Sequence, residues 1–141
     1  MTRAGIEALV ARCQEAFDQH DAVALADEHS ATCVMDSLTA GAEVKGREAV
    51  ANIYKAWFQG FPDLVVAPEE LLVDGAWFAR RYTLTGTDTG GFLGLPATGK
   101  PFRLQMVWVC ETRDGQIVHS RPVYDFSGLL IQIGALKAKL A

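Results

Sequence analysis

The sequence predicts an α+β domain, a cone-shaped barrel in which helices pack over a curved antiparallel sheet and enclose a pocket. Apolar residues recur at helical spacing as far as Gln59, and from Leu64 onward the period changes to two. Asp-Gly pairs then join the long extended runs as hairpins, which makes those neighbours antiparallel.

Ile6, Leu9, Val10, Cys13 and Phe17 form the stripe of a first amphipathic helix, and Thr2 is placed to cap it. His20-Asp21 reads as a break, with Asp21 capping a shorter helix that carries Val23, Leu25 and Ala26. Thr32 to Asp36 reads as a short strand. Gly46 to Gln59 is helical by spacing, with Val50, Ile53, Tyr54, Trp57 and Phe58 on one face; Gly60 before Phe61-Pro62 ends it. Leu64 to Val73 is extended, Pro68 marking an edge, a bend or a bulge, and Asp74-Gly75 turns it into Trp77 to Thr87. The Gly-rich loop Gly90 to Gly99 leads to a second hairpin, Phe102 to Thr112 with Gln116 to Phe126 around Asp114-Gly115. Ser127 is placed to cap a last helix whose Leu129, Ile133, Leu136 and Leu140 share a face.

The chain has 141 residues, enough for one domain, 1–141, with a core that needs no staples. Thirteen Lys and Arg against 17 Asp and Glu give a net charge of −4, which leaves no electrostatic footprint for nucleic acid or anionic lipid. No apolar run approaches the roughly 20 residues that span a bilayer. Glu7, Arg12 and Gln14 interrupt the N-terminal segment, so a secretory signal is not expected. Cys13, Cys33 and Cys110 are odd in number and widely spaced, which fits reduced thiols in a cytoplasmic protein.

Gly94 to Lys100 reproduces the G-x-x-x-x-G-K of a phosphate loop. Pro101 stands where Ser or Thr should follow, and a strand replaces the required helix, so nucleotide binding is not expected. His20, His29 and His119 lie far apart without metal-ligand spacing, and no metal is expected.

The last strand carries the chemistry. Strict alternation puts Ile117, His119, Arg121, Val123 and Asp125 on one face, inward by its Ile and Val. A tight two-residue turn at Asp114-Gly115 sets Cys110 opposite His119, Trp108 opposite Arg121, Met106 opposite Val123 and Leu104 opposite Asp125. Polar groups on an apolar face are costly unless paired or hydrated. Two readings stay open: Arg121 and Asp125 bridge each other, or the set lines a pocket in which desolvation suits the carboxyl to proton transfer. Phe17, Tyr54, Trp57, Trp108 and Met106 are the expected aromatic and apolar lining, reached beneath the Gly90 to Gly99 loop; alternatively these rings fill the cone.

Gly86-Thr87-Asp88-Thr89-Gly90-Gly91-Phe92, continuing to Lys100, resembles the loop of SnoaL-like polyketide cyclases, within the nuclear-transport-factor-2-like superfamily. Phe61-Pro62-Asp63-Leu64, Asp114-Gly115-Gln116-Ile117 and the ending Asp125-Phe-Ser-Gly-Leu129-Leu130-Ile-Gln132-Ile-Gly134 fit the same pattern. The resemblance implies a cone of helices over a curved sheet, no cofactor, a homo-oligomer (dimer or tetramer) and a small hydrophobic or aromatic polyketide-like substrate. It implies that Asp125 is the general acid/base of an intramolecular aldol closure. Many relatives carry His where Met35 precedes Asp36, and an acidic residue and an aromatic where this chain has His119 and Arg121. Met35 and Arg121 thereby join the expected substrate-binding residues. His119 serves either as a second acid/base group or to orient a substrate oxygen. The same scaffold hosts hydroxylases, epoxide hydrolases and non-catalytic binding or assembly modules. An epoxide hydrolase would combine Asp125 and Arg121 with Asp36 facing the cone. The outer sheet face, expected to carry Val107, Val109, Pro122 and Tyr124, is the expected oligomer contact.

Overall fold

In the computed structural model, which describes residues 1–137, the first apolar stripe forms α1 (Arg3–Asp18). Its N-cap is Thr2, whose hydroxyl accepts the Gly5 N–H at 3.0 Å. His20 adopts a φ of 53°, which stops the helix, and Asp21 caps α2 (Ala22–Asp27) by accepting the Ala24 N–H at 3.0 Å. The third stripe forms α3 (Arg47–Gly60), burying Val50, Tyr54 and Trp57.

Six strands follow the chain as β1 (His29–Ser37), β2 (Ala42–Lys45), β3 (Val65–Asp74), β4 (Trp77–Thr87), β5 (Pro101–Arg113) and β6 (Gln116–Tyr124). They make one sheet in the order β2-β1-β6-β5-β4-β3. β1 starts earlier than the sequence suggests. β2 leaves no sequence signal because its side chains are exposed apart from a half-buried Val44. The sheet is mixed, since β1 runs parallel to β6 while every other pair is antiparallel. Pro68 lies on the edge strand β3, beside an irregularity between Pro68 and Leu71, where a missing donor is tolerated. Helices α1 and α3 cover the concave face, and their stripes meet Phe78, Tyr82, Leu84, Met106 and Trp108 in one core.

Two motifs of the sequence hold this frame shut. Asp88 is buried; its carboxylate accepts N–H bonds from Phe92 and Thr98, both at 3.1 Å, and the Thr98 hydroxyl at 3.0 Å. The loop so pinned presses Phe92 onto Trp57 and Phe61. A Cβ on Gly90 would sit 1.7 Å from the Gln59 carbonyl oxygen, so only glycine allows that approach.

The second motif closes the C-terminus through α4 (Phe126–Gln132). Its N-cap is Asp125, not Ser127, and β6 stops at Tyr124: the Asp125 carboxylate accepts the Gly128 N–H at 2.8 Å. A side chain on Gly128 would collide with that carboxylate at 2.2 Å. Gln132 then accepts the Arg103 N–H at 2.8 Å and donates to the Arg103 carbonyl at 3.0 Å. Leu129 and Ile133 are buried as the spacing predicts; Leu136 is exposed, and Leu140 lies outside the described residues.

Candidate active site

Between α3, the end of α1 and the concave sheet face lies a cleft of about 510 Å³, counted out to its open mouth. Phe17, Met35, Tyr54, Trp57 and Met106, all expected from the sequence, line it. Trp108 does not. It is 1% exposed, packs edge-on against Phe17 and Phe78, and donates its indole N–H to the Ser120 hydroxyl at 2.7 Å, so it fills the narrow end of the cone. The mouth is framed by Ser37, Leu38 and Thr39 after β1 and by Pro122 and Tyr124 on β6. The Gly90 to Gly99 loop contributes none of the lining residues, so entry is not beneath it.

The register of β6 overturns the expected ionisable face. Asp114 and Gly115, with φ of 52° and 81°, form the two-residue turn, and Arg113 pairs with Gln116 as expected. One residue further the ladder slips: Thr112 pairs with Ile117 but Glu111 pairs with His119, leaving Val118 as a bulge. A slip of one residue moves every later side chain to the other face. Cys110 therefore lies opposite Ser120, Trp108 opposite Pro122 and Met106 opposite Tyr124. Ser120 is wholly buried, and Pro122 and Tyr124 line the cleft. Ile117, before the slip, stays buried.

His119 and Arg121 consequently face outward with Asp36. His119 Nε2 lies 3.0 Å from Asp36 Oδ1, Arg121 Nε lies 3.4 Å from Asp36 Oδ2, and Arg121 Nη2 lies 3.3 Å from His119 Nδ1. Arg121 Nε also lies 3.2 Å from His119 Nε2, so the imidazole is shared between the Asp36 carboxylate and the guanidinium. The guanidinium also stacks over Trp77, 5.5 Å from its ring centre. Asp125 joins neither set. It is exposed at the start of α4, beside Arg103, Gln105 and Gln132, and does not bridge Arg121.

The cleft lining holds no carboxylate, imidazole or cation among the described residues; its polar side-chain groups are the hydroxyls of Ser37, Thr39, Tyr54 and Tyr124 and the indole N–H of Trp57. Burial holds the Tyr54 and Tyr124 phenols above their ordinary range, so both remain protonated hydrogen-bond donors at neutral pH. Ser37 spends its oxygen locally, 3.1 Å from the Thr39 hydroxyl and from the Ala40 N–H. The sequence signal that could have found the inner set is Pro122: its Ser-x-Pro-x-Tyr frame is the alternative alternation of the same strand. No group of three or more His, Cys, Asp or Glu among the described residues could hold a metal. No helix among them is long and apolar enough to cross a membrane.

A curved six-stranded sheet with helices over its concave face defines a nuclear-transport-factor-2-like fold. The chain belongs to the SnoaL-like polyketide cyclase family, whose model matches residues 7–133. The aklanonic acid methyl ester cyclase DnrD of Streptomyces peucetius is 29% identical over 93 residues, covering 65% of this chain and 64% of that protein, just under two thirds of its length. Among solved structures, TsrD from Streptomyces laurentii matches with a TM-score of 0.84 and 25% identity over 96% of this chain and 99% of that one. IdmH from Streptomyces antibioticus matches with a TM-score of 0.76 and 27% identity over 91% and 97%.

Proposed function

We propose that this protein closes a ring in a largely apolar, oxygen-bearing polyketide-like chain, without a cofactor, inside the cleft between α3 and the sheet. The observation that carries the reading is the lining itself: aromatic and aliphatic walls whose polar side-chain groups are uncharged, four hydroxyls and the indole N–H of Trp57. Such a surface folds a flexible chain into a near-attack conformer, which by itself contributes a large share of an intramolecular barrier. In an aldol closure the α-proton passes to water at the open mouth and the enolate carbon attacks a carbonyl carbon of the same chain. The new alkoxide then takes a proton back from water. The protonated Tyr124 phenol supports this by donating to the oxygen on which charge develops.

Asp125, the acid/base implied by resemblance, and His119, expected as a second acid/base or an orienting group, stand outside the cleft, so this reading does not route the proton through them. The geometry also speaks against an epoxide hydrolase: Asp36 and Arg121 meet on the outer face, away from any enclosed pocket. A binding module without chemistry is the second reading, supported by the lack of a base in the lining. Aklanonic acid methyl ester, the substrate that names the curated relative, is the first compound to test. An isomeric product of equal mass and altered retention, formed faster than in buffer, supports the cyclase. Saturable binding with no conversion favours the binding module.

The outer face supports a homodimer. Val107, Val109 and Val123 project there beside Trp77, and Val123 is 57% exposed. Pro122 and Tyr124 do not belong to that patch. Sedimentation at micromolar concentration should show the dimer, and a Val123→Glu protein should run as a monomer.

A further inference from the structure

Beneath the cleft the core contains an unfinished polar cluster. Tyr82 is fully buried, and its hydroxyl has no hydrogen-bond partner among the described residues. A buried hydroxyl left unpaired gives up the hydrogen bonds that water would have made to it. Beside it, the Ser120 hydroxyl receives the Trp108 N–H and interacts with the Tyr54 phenol. The buried thiols of Cys13 and Cys110 act electrostatically on both tyrosines, and the Arg80 guanidinium lies 6.0 Å from the Tyr82 ring centre.

Tyr54 belongs both to the cleft wall and to this cluster, and Phe17 packs between the cleft and Tyr82. Phe17 lines the cleft and meets Tyr54, Tyr82 and Trp108 edge-on, with ring centres 5.8, 5.7 and 5.8 Å away. Tyr82 pairs across the sheet with Met106 and sits two residues from Leu84, both of them cleft wall. Phe17 occupies the last turn of α1, directly before the break at His20.

We propose that Phe17 is a partition between the cleft and a hydroxyl subsite of Tyr82, Tyr54 and Ser120. A ligand whose leading ring carries a carbonyl or phenol oxygen turns Phe17 aside, replaces its ring in the packing and accepts a hydrogen bond from Tyr82. The inference rests on the cleft being a ligand site. It adds the orientation: oxygenated end inward, the remainder of the chain toward Ser37 and Tyr124. Burial keeps the Tyr82 phenol protonated, and hence a donor.

The test uses 1-tetralone and tetralin, which differ in one carbonyl, titrated by ligand-observed NMR against the wild-type chain and Tyr82→Phe. The ratio of ketone to hydrocarbon affinity should fall about 5-fold in the variant, a hydrogen bond's worth, with tetralin binding unchanged. Unliganded Tyr82→Phe should melt no lower than wild type, because it loses only an unpaired hydroxyl. An unchanged ratio, or a variant that melts well below wild type, overturns the subsite and leaves the cleft standing. Failure of both probes to bind the wild-type chain overturns the cleft reading and the subsite together.

Discussion

The two faces of β6 are built from neighbouring residues and do opposite things. Inward, Ser120 is buried against Trp108, while Pro122 and Tyr124 present an apolar ring and a hydroxyl to the cleft. Outward, His119 and Arg121 hold Asp36 in a half-exposed cluster and lean on Trp77. The outer set has the charge and the hydrogen-bond geometry associated with acid–base work, but it has no cavity. The inner set has the cavity and no charge. Chemistry-bearing residue types and empty space thus lie on opposite sides of this strand.

The difference between the faces is open to direct measurement. The largest contrast lies between two of the three tryptophans, Trp108 and Trp77. Trp108→Ala removes a buried ring at the narrow end of the cone and should cost about 3–5 kcal/mol. Trp77→Ala on the outer face, 37% exposed, should cost well under half of that. Comparable losses in chemical denaturation would break the assignment of inside and outside.

The histidines give the next contrast. Burial drives His29 down to about 4, against weaker upward influences from its bond to the Leu25 carbonyl and from Glu28, and a small downward one from Arg47. The unfolded chain therefore binds the proton first, near pH 6.5. Stability is complete above that pH and is lost as pH falls toward 4, by about 3 kcal/mol. His29→Asn, whose amide can still serve the Leu25 carbonyl, should flatten this acid limb, while His119→Asn should leave it in place. An acid limb that survives His29→Asn would assign it to other groups.

Asp125 comes third. As a cap, Asp125→Ala should lose about 1 kcal/mol while Asp125→Asn, an equally good cap, should stay near wild type. A 10²–10⁴-fold loss of turnover in a normally stable Asp125→Asn protein would instead restore the carboxylate to the chemistry. The smallest effect belongs to the outer ion pair: Arg121→Ala should shift stability by no more than about 1 kcal/mol, and less in high salt.

These contrasts show which parts of the molecule were legible in the sequence. Stripes such as Ile6-Leu9-Val10-Cys13-Phe17 became helices because periodicity records burial on one side, and Asp114-Gly115 became a turn because few other pairs tolerate its backbone angles. The first hairpin turns one residue later than its Asp74-Gly75 signal, at Gly75-Ala76, with Asp74 paired to Trp77. Five of the expected lining residues reached the cleft for the same reason. The bulge at Val118 was hidden because Ile117 and Val118 are both apolar and either can be taken as the inward one. That single ambiguity reversed every assignment beyond it. The family motif around Asp125 was read as chemistry, yet each of its letters has a packing duty: Asp125 caps, Gly128 makes room for the cap, and Gln132 meets Arg103. β2 is silent because its side chains are largely exposed, and the parallel pairing of β1 with β6 depends on contacts between distant segments, which no local pattern encodes.

Gln132 has one more consequence. Beyond Tyr124 there is no β6 residue left to pair with Arg103, and the side-chain amide of Gln132 takes the place of a peptide group there, offering one donor and one acceptor. A seven-residue helix is thereby latched onto the sheet at a single backbone position. Solvent exchange of the Arg103 amide hydrogen thus becomes a clock for the unlatching of α4, readable separately from unfolding of the barrel. An exchange rate faster than that of the core amides would identify the C-terminal segment as the unit of the fold that opens first.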